Sequence, residues 1–308
     1  MDRVFSVVMS HPSWRVGALR ISHIVEMDAS AALQEIITEA DPEALARAAW
    51  LSPNYVDGAG RLTGVIQSFL VEGPDEVTVI DTCVGNGKGR SGPPWDHVNS
   101  DFLQRFTQDL ISPNDVSRVV CTHLHFDHVG WNTTLRDGVW RPTFPNARYV
   151  LSDKEFRYWA DHSGDESEDH CAGVVDSVQP IADAGLLDRV ADDEIISDTM
   201  RLIPSPGHTP HHVSVLLESQ GERALITGDA VHHPCQIAYP DWSTISDFDP
   251  EQARRSRLEL LNRFANSGTA FIGTHFSAPA IGVLHGDEGR YFLSPFDASG
   301  QAGGSAIP

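Results

Sequence analysis

The string Thr122-His123-Leu124-His125-Phe126-Asp127-His128-Val129-Gly130 concentrates three imidazoles and a carboxylate in one short stretch. Imidazole and carboxylate together suit zinc, and also iron, manganese or cobalt. In an extended segment, residues two apart project to the same side, so His123 and His125 can present their rings to one ion. If the chain then turns into a helix, Asp127 and His128 can aim at a second ion beside it. Surface scatter is a poor rival explanation: with 15 His in 308 residues, the chance of His-x-His-x-Asp-His arising anywhere is on the order of 10⁻³. Three later residues each sit just past a strand or tight turn: His208 in Ser205-Pro206-Gly207-His208-Thr209-Pro210, Asp229 in Thr227-Gly228-Asp229, and His275 in Gly273-Thr274-His275. Metal ligands need a rigid scaffold and a close backbone approach, which strand-end glycines allow. Singly, each reads equally well as a hydrogen-bonded loop residue; their order after the first string is what raises them.

The elements around these residues read as strands delivering loops. Arg118 to Thr122 is a short strand that runs directly into His123. Leu19 to Val25 is rich in aliphatic and β-branched residues. Val65 to Val71 and Val77 to Ile80 flank the turn signal Gly73-Pro74-Asp75 and read as a hairpin. Ala31 to Trp50 reads as helical, broken at Asp41-Pro42. Asp101 to Leu110 reads as an amphipathic helix with Phe102, Leu103, Phe106 and Leu110 on one side. Trp131 to Pro145 reads as a loop and Arg148 to Leu151 as a strand. Ser152-Asp153-Lys154-Glu155 is a capping box opening a helix that carries Phe156 and Trp159. Asp161 to Asp169 reads as a solvated acidic loop. Met200 to Ile203, Val213 to Leu217, Ala224 to Thr227 and Ala270 to Gly273 are further strands. Asp249-Pro250-Glu251 starts a helix with Leu258, Leu261 and Ala265 on one face. With no internal repeat and no linker, residues 1–308 read as one domain, ending in a Gly-, Ser- and Ala-rich flexible tail, 294–308.

Composition narrows the class. Hydrophobic residues at 41% and charged residues at 21% are a globular balance. No run approaches the roughly 18 apolar residues that cross a bilayer. The run Val4 to Met9 is too short for a secretory signal and is broken by Ser10, His11 and Pro12. Cys83, Cys121, Cys171 and Cys235 form no Cys-x-x-Cys pair, which reads as reduced thiols in the cytoplasm. A formal net charge of −21 argues against nucleic-acid or membrane partners, since a phosphate-rich surface needs a basic face. The expected partner is a small-molecule substrate; the oligomeric state stays open, a homodimer included.

The string His123-x-His125-x-Asp127-His128, followed by Pro206-Gly207-His208-Thr209, Gly228-Asp229 and Thr274-His275, resembles the metallo-β-lactamase superfamily, and Asp81-Thr82 resembles its early strand-end Asp motif. The resemblance implies an α/β fold, an αββα sandwich of two mixed β-sheets flanked by helices, with a metal pair at one sheet edge. It also implies the partition of ligands: His123, His125 and His208 on the first metal, Asp127, His128 and His275 on the second, and Asp229 bridging. True β-lactamases usually carry Cys or Ser at the Asp229 position. RNA-cleaving branches carry extra domains and basic surfaces, and flavodiiron proteins usually have Glu at His125. The long insert between His128 and His208, and the string Gly228-Asp229-Ala230-Val231-His232-His233-Pro234, resemble the lactonase, organophosphate hydrolase and hydrolytic dehalogenase branches. His211 departs from the Gly that many members have there.

The chemistry expected is hydrolysis by a hydroxide held between two divalent ions, zinc first, with iron, manganese or cobalt as substitutes. It would attack a lactone or ester carbonyl, with Asp127 shuttling a proton to the leaving oxygen or bound water taking that role. A phosphotriester or aryl-halide hydrolase would use the same site. A mononuclear iron oxygenase resembling the persulfide dioxygenases would need three ligands only, and a non-catalytic binding module would have no reason to keep seven. Trp131, Trp140, Phe144, His232, His233 and Phe276 stand near the metal-bearing loops in sequence and are the expected walls of an apolar substrate pocket; large aromatics are otherwise core.

Overall fold

A strand that is apolar on both faces needs cover on both sides, and most strands of this chain are of that kind. The structure is a computed structural model describing residues 13–161 and 168–296. Its strands are β1 (Ser13–Val16), β2 (Leu19–Asp28), β3 (Val65–Glu72), β4 (Val77–Ile80), β5 (Arg118–Val120), β6 (Thr133–Arg136), β7 (Val139–Pro142), β8 (Arg148–Ser152), β9 (Leu187–Val190), β10 (Ile195–Ser197), β11 (Met200–Pro204), β12 (Val213–Ser219), β13 (Glu222–Ile226), β14 (Ala270–Ile272), β15 (Ile281–Asp287) and β16 (Arg290–Pro295). Among the described residues they form two seven-stranded sheets, β1-β2-β3-β4-β5-β8-β9 and β10-β11-β12-β13-β14-β15-β16, and the separate hairpin β6-β7. Both large sheets are mixed: β4, β5, β8 and β9 run parallel in the first, and β13 and β14 in the second.

Alternation along the strands divides the core. Phe69, Val71, Ile80, Val120 and Val150 of the first sheet share one buried cluster with Val213, Val215, Leu217 and Ile226 of the second. Leu70, Val79, Val119, Tyr149 and Leu151 point the other way, into a second cluster with Phe102, Phe106, Phe144 and Trp159. The helix Pro250–Phe264 covers the second sheet through Leu260, Leu261 and Phe264, and Asp249 caps it by accepting from Gln252 N at 3.0 Å. The result is the expected α/β sandwich. No helix among the described residues is long and apolar enough to cross a membrane.

Ala31 to Trp50 is helical and broken at Asp41-Pro42 as expected, forming Ser30–Ile36 and Pro42–Arg47, with Asp41 capping the second by accepting from Glu43 N and Ala44 N at 2.9 Å. Two other local expectations change. The expected loop Trp131 to Pro145 holds the hairpin β6-β7, turned by Asp137 (φ 52°) and Gly138 (φ 75°). An Asp-Gly pair favours that positive-φ turn. The expected flexible tail begins inside the sheet, because Ser294 and Pro295 pair with Val283 and Gly282 of β15. The remainder of that tail beyond Phe296, the run Val4 to Met9, and 162–167 of the acidic stretch lie outside the described residues.

Candidate metal centre

β5 ends at Val120 and hands the chain to His123, while β13 and β14 end just before Asp229 and His275. His125 stays extended (φ −65°, ψ 149°) at the head of a single helical turn, Phe126–Val129. The switch from extended to helical backbone is what turns Asp127 and His128 away from the line of His123 and His125. Gly130 closes that turn where no side chain fits: a Cβ there would lie 1.8 Å from Val84 O. Gly130 N donates to Cys83 O and Trp131 N to Thr82 O, both at 2.7 Å, pinning the turn to the strand end after β4. Gly207, at φ +131°, lets His208 approach the first turn of the long helix; a Cβ there would meet Ala253 N at 2.1 Å.

These loops bring all seven sequence-predicted ligands to one buried place. His123, His125 and His208 each offer a nitrogen within 4.8 Å of the others, and Asp127, His128 and His275 form a second such group. Asp229 belongs to two more groups, one with His123 and His128, the other with His208 and His232. His208 Nε2 and His125 Nδ1 face each other at 2.9 Å, and His128 Nε2 and His275 Nε2 at 3.2 Å. Asp229 Oδ2 lies 3.3 Å from both His128 Nε2 and His208 Nε2, and Oδ1 lies 3.1 Å from His275 Nε2. Asp127 Oδ2 stands 3.7 Å from both His128 Nε2 and His275 Nε2.

The outer nitrogens explain why the inner ones converge. His128 Nδ1 donates to Asp81 Oδ2 at 2.8 Å, His208 Nδ1 to Asp247 Oδ1 at 3.1 Å, and His275 Nδ1 to Val65 O at 3.1 Å. The Thr122 hydroxyl donates to Asp81 Oδ2 at 2.8 Å and so accepts from His123 Nδ1 at 3.1 Å. In these four rings an outward proton on Nδ1 leaves Nε2 turned inward, the arrangement in which imidazole binds metal; His125 instead turns Nδ1 inward. His212 accepts from Asp229 N at 2.9 Å and steadies that carboxylate's backbone.

The chemistry of this donor set fits a divalent cation. Burial pushes His123 and His125 well below the ordinary imidazole value, so both are unprotonated. His123 Nε2 is buried and has no hydrogen-bond partner. Burial also pulls on His128 and His275, but the Asp229 and Asp127 carboxylates, joined at His128 by Asp81, outweigh it and hold both raised. That half of the cluster therefore favours positive charge, which an ion supplies as well as a proton does.

A cavity of about 200 Å³ opens onto these groups, lined by Asp127, His125, His208, Asp229, His232, His275 and His170, with apolar walls from Ala29, Leu33, Ile36, Ile66, Trp95 and Phe126. Of the expected pocket residues only His232 lines it, its Nε2 3.2 Å from Asp229 Oδ2. The others are corrected. Trp131 is core, stacked on Phe102 at 5.5 Å with its Nε1 donating to Glu26 Oε1 at 2.6 Å. Phe144 packs edge-on to Phe106 at 5.6 Å, and Phe276 edge-on to Tyr55 at 6.1 Å. Trp140 lies under Lys88, whose Nζ sits 3.7 Å from the ring centroid. His233 turns away from its neighbour and donates from Nε2 to Tyr55 O at 2.9 Å. Nearness in sequence misleads here, because aromatics just past a metal loop fill the space beneath it. Apart from Phe126, the apolar walls come from Ala29 to Ile36, from Ile66 and from Trp95, far away along the chain.

Sequence reasoning also missed Asp247, which orients His208; His170, stacked on His125 with ring centroids 3.8 Å apart; and the contact of Glu155 Oε2 with the Thr209 hydroxyl, which donates to it at 2.9 Å. No pattern near Asp247 or His170 marks them. Glu155 carried a signal, but it read as a helix cap.

Comparison with known proteins bears on the same loops. A family model described as the metallo-beta-lactamase superfamily matches residues 62–264. The uncharacterized protein YobT of Bacillus subtilis (strain 168) is 32% identical over 169 residues, covering 54% of this chain and 61% of its own length. An N-acyl homoserine lactonase of Bacillus thuringiensis is 28% identical over 149 residues, covering 48% of this chain and 51% of its own. The chain thus spans less than two thirds of either relative. Among solved structures, a hydrolase named AbOPH, described as in the beta-lactamase superfamily, superposes with a TM-score of 0.76 at 24% identity over 94% of this chain and 98% of its own. AidC, a dizinc quorum-quenching lactonase in complex with a product, gives 0.74 at 18% identity over 93% and 97%. At these identities the two structures speak for the fold.

Proposed function

The chain belongs to the metallo-β-lactamase superfamily, and from that footing we propose a metal-dependent hydrolase that opens the lactone or ester bond of a largely apolar small molecule. One observation carries the reading: seven imidazoles and carboxylates converge, and five of them, His125, Asp127, His208, Asp229 and His275, line a cavity whose other walls are mostly aliphatic and aromatic, with Glu35 and Ser246 among them. His123, His125 and His208 would hold one ion, Asp127, His128 and His275 a second, and Asp229 would face both. When bound, such ions lower the pKa of water and polarise a carbonyl oxygen.

The chain's own residues supply the rest. Ala29, Leu33, Ile36, Trp95 and Phe126 exclude water from the apolar part of the substrate and orient its reacting bond toward the floor. Asp127, partly exposed to the cavity, is the group placed to carry a proton to the leaving oxygen. His232 reaches the cavity beside Asp229, its Nε2 3.2 Å from Asp229 Oδ2, where it would steady that carboxylate. The formal net charge of −21 disfavours anionic substrates, nucleic acid and anionic membrane surfaces as partners. The lactonase named among the relatives supports lactones as the first class to test.

Elemental analysis of the purified protein, coupled to a panel of acyl lactones, aryl esters, phosphotriesters and chlorinated aromatics, tests the proposal. Two zinc-like ions per chain with turnover of apolar lactones or esters is the expected result. One iron per chain with thiol-dependent uptake of dioxygen would overturn it in favour of an oxygenase.

A further inference from the structure

Glu155 belongs to none of the candidate metal groups and does not line the cavity, yet the residue is only 1% exposed and its carboxylate is surrounded by donors. Oε1 accepts from Leu124 N at 3.3 Å and from Trp159 Nε1 at 2.8 Å. Oε2 accepts from the Thr209 hydroxyl at 2.9 Å and from His211 N at 3.2 Å. Leu124 stands between His123 and His125, and Thr209 directly follows His208. Trp159 is set edge-on to His125, ring centroids 5.7 Å apart. The one carboxylate therefore spans the loop after β5 of the first sheet and the loop between β11 and β12 of the second.

A buried carboxylate held only by neutral donors is costly, and burial raises its pKa. Capping does not account for where the carboxylate points: Ser152 Oγ accepts from Glu155 N at 3.2 Å, while the carboxylate oxygens take the four donors named above. An apolar side chain of the same size would pack with less loss, but it could not satisfy Leu124 N and His211 N together. The same two loops are also joined where Val213 N donates to Thr122 O at 3.0 Å.

We infer that Glu155 is a positioning residue, a clasp between two loops that sets the spacing of His123, His125 and His208 and thereby that triad's affinity for its ion. The inference rests on the metal reading of the site. His211 fits the same picture: its side chain turns outward, Nδ1 3.7 Å from Asp192 Oδ2, and its backbone amide serves the clasp.

The test compares Glu155→Gln, Thr209→Val and Thr209→Ser with the wild type. Zinc dissociation constants for each site come from chelator competition, cobalt(II) absorption bands mark which site is filled, and melting of the metal-free proteins reports folding. Glu155→Gln turns one acceptor into a donor facing His211 N–H; Thr209→Val removes one donor with little change of volume; Thr209→Ser keeps it. Glu155→Gln and Thr209→Val should weaken one zinc ion by roughly 10- to 100-fold, the same ion whose cobalt bands disappear in His123→Ala. The other ion should hold, and Thr209→Ser should behave as wild type. Equal weakening of both ions, or lower melting of the metal-free variants with zinc affinity unchanged, would reduce Glu155 to a fold-supporting residue and overturn the inference alone. A wild-type chain that binds no zinc overturns the metal reading and the clasp with it.

Discussion

Asp229 gathers more of the centre than any other side chain, with His128, His208, His232 and His275 all within 3.3 Å of one or other of its oxygens. Removing it should cost metal before it costs fold. Asp229→Ala is expected to lower kcat/KM by at least about 100-fold with substoichiometric zinc and a melting temperature close to wild type. Near-normal turnover by a metal-replete variant would remove Asp229 from the centre. His233, one residue beyond the cavity histidine, has a different prediction. Its Nε2 donates to Tyr55 O and its Nδ1 accepts from Cys235 N, and burial takes its pKa down to about 4. The unfolded chain binds this proton from about 6.5 downward and the folded chain only from about 4, so stability falls as pH falls through that window. The difference amounts to on the order of 3 kcal/mol. Urea midpoints at pH 7 and pH 5 should therefore diverge less in His233→Gln than in the wild type; an unchanged pH dependence would mean His233 takes up its proton in the fold.

At the scale of elements, the metal loops depend on places where backbone meets backbone. Gly207 combines a positive φ of 131° with a missing Cβ that would lie 2.1 Å from Ala253 N. Either the His208 loop or the head of the long helix must move if a side chain is added. Gly207→Ala should then lose zinc and melt well below wild type. Gly221→Ala serves as control: its φ is +85° but nothing lies within 4 Å of a Cβ, so it should cost about 1–2 kcal/mol and leave zinc stoichiometry alone. Wild-type zinc binding by Gly207→Ala would show that the loop has slack. Phe126–Val129 makes the same point in miniature, since a single helical turn sets Asp127 and His128 beside His275.

On the scale of the whole molecule, the cavity is an assembly of remote pieces. Ala29 to Ile36 lies after β2, Ile66 in β3, Trp95 before the helix at Phe102, and Phe126 within the metal string. Selectivity and stability should therefore separate cleanly between two tryptophans. Trp95→Ala is expected to reduce kcat/KM for an apolar ester several-fold more than for a polar one, with melting close to wild type. Trp131→Ala, stripped from a buried stack on Phe102, should cost roughly 3–5 kcal/mol and treat both esters alike. The reverse pattern would restore Trp131 to the pocket wall.

The cluster of candidate ligands was legible in the sequence because its first four groups are local. His123, His125, Asp127 and His128 follow from a strand end turning into a helix, and backbone periodicity alone separates them into two directions. His208, Asp229 and His275 were legible as glycine-flanked strand ends, their convergence only through the resemblance of their order to a known family. Most strands were legible too, because burial on both faces leaves continuous aliphatic runs such as Val213 to Leu217. The tertiary structure alone decided what lies behind and above the centre. Asp247 and Glu155 act across gaps of 39 and 31 residues, on His208 Nδ1 and Leu124 N respectively, and a hydrogen bond of that reach leaves no periodic trace. The pocket walls were misplaced for the same reason. An aromatic's type says that it is buried, whereas which cavity or core it fills depends on how two sheets stack, and that is settled by packing across the whole chain.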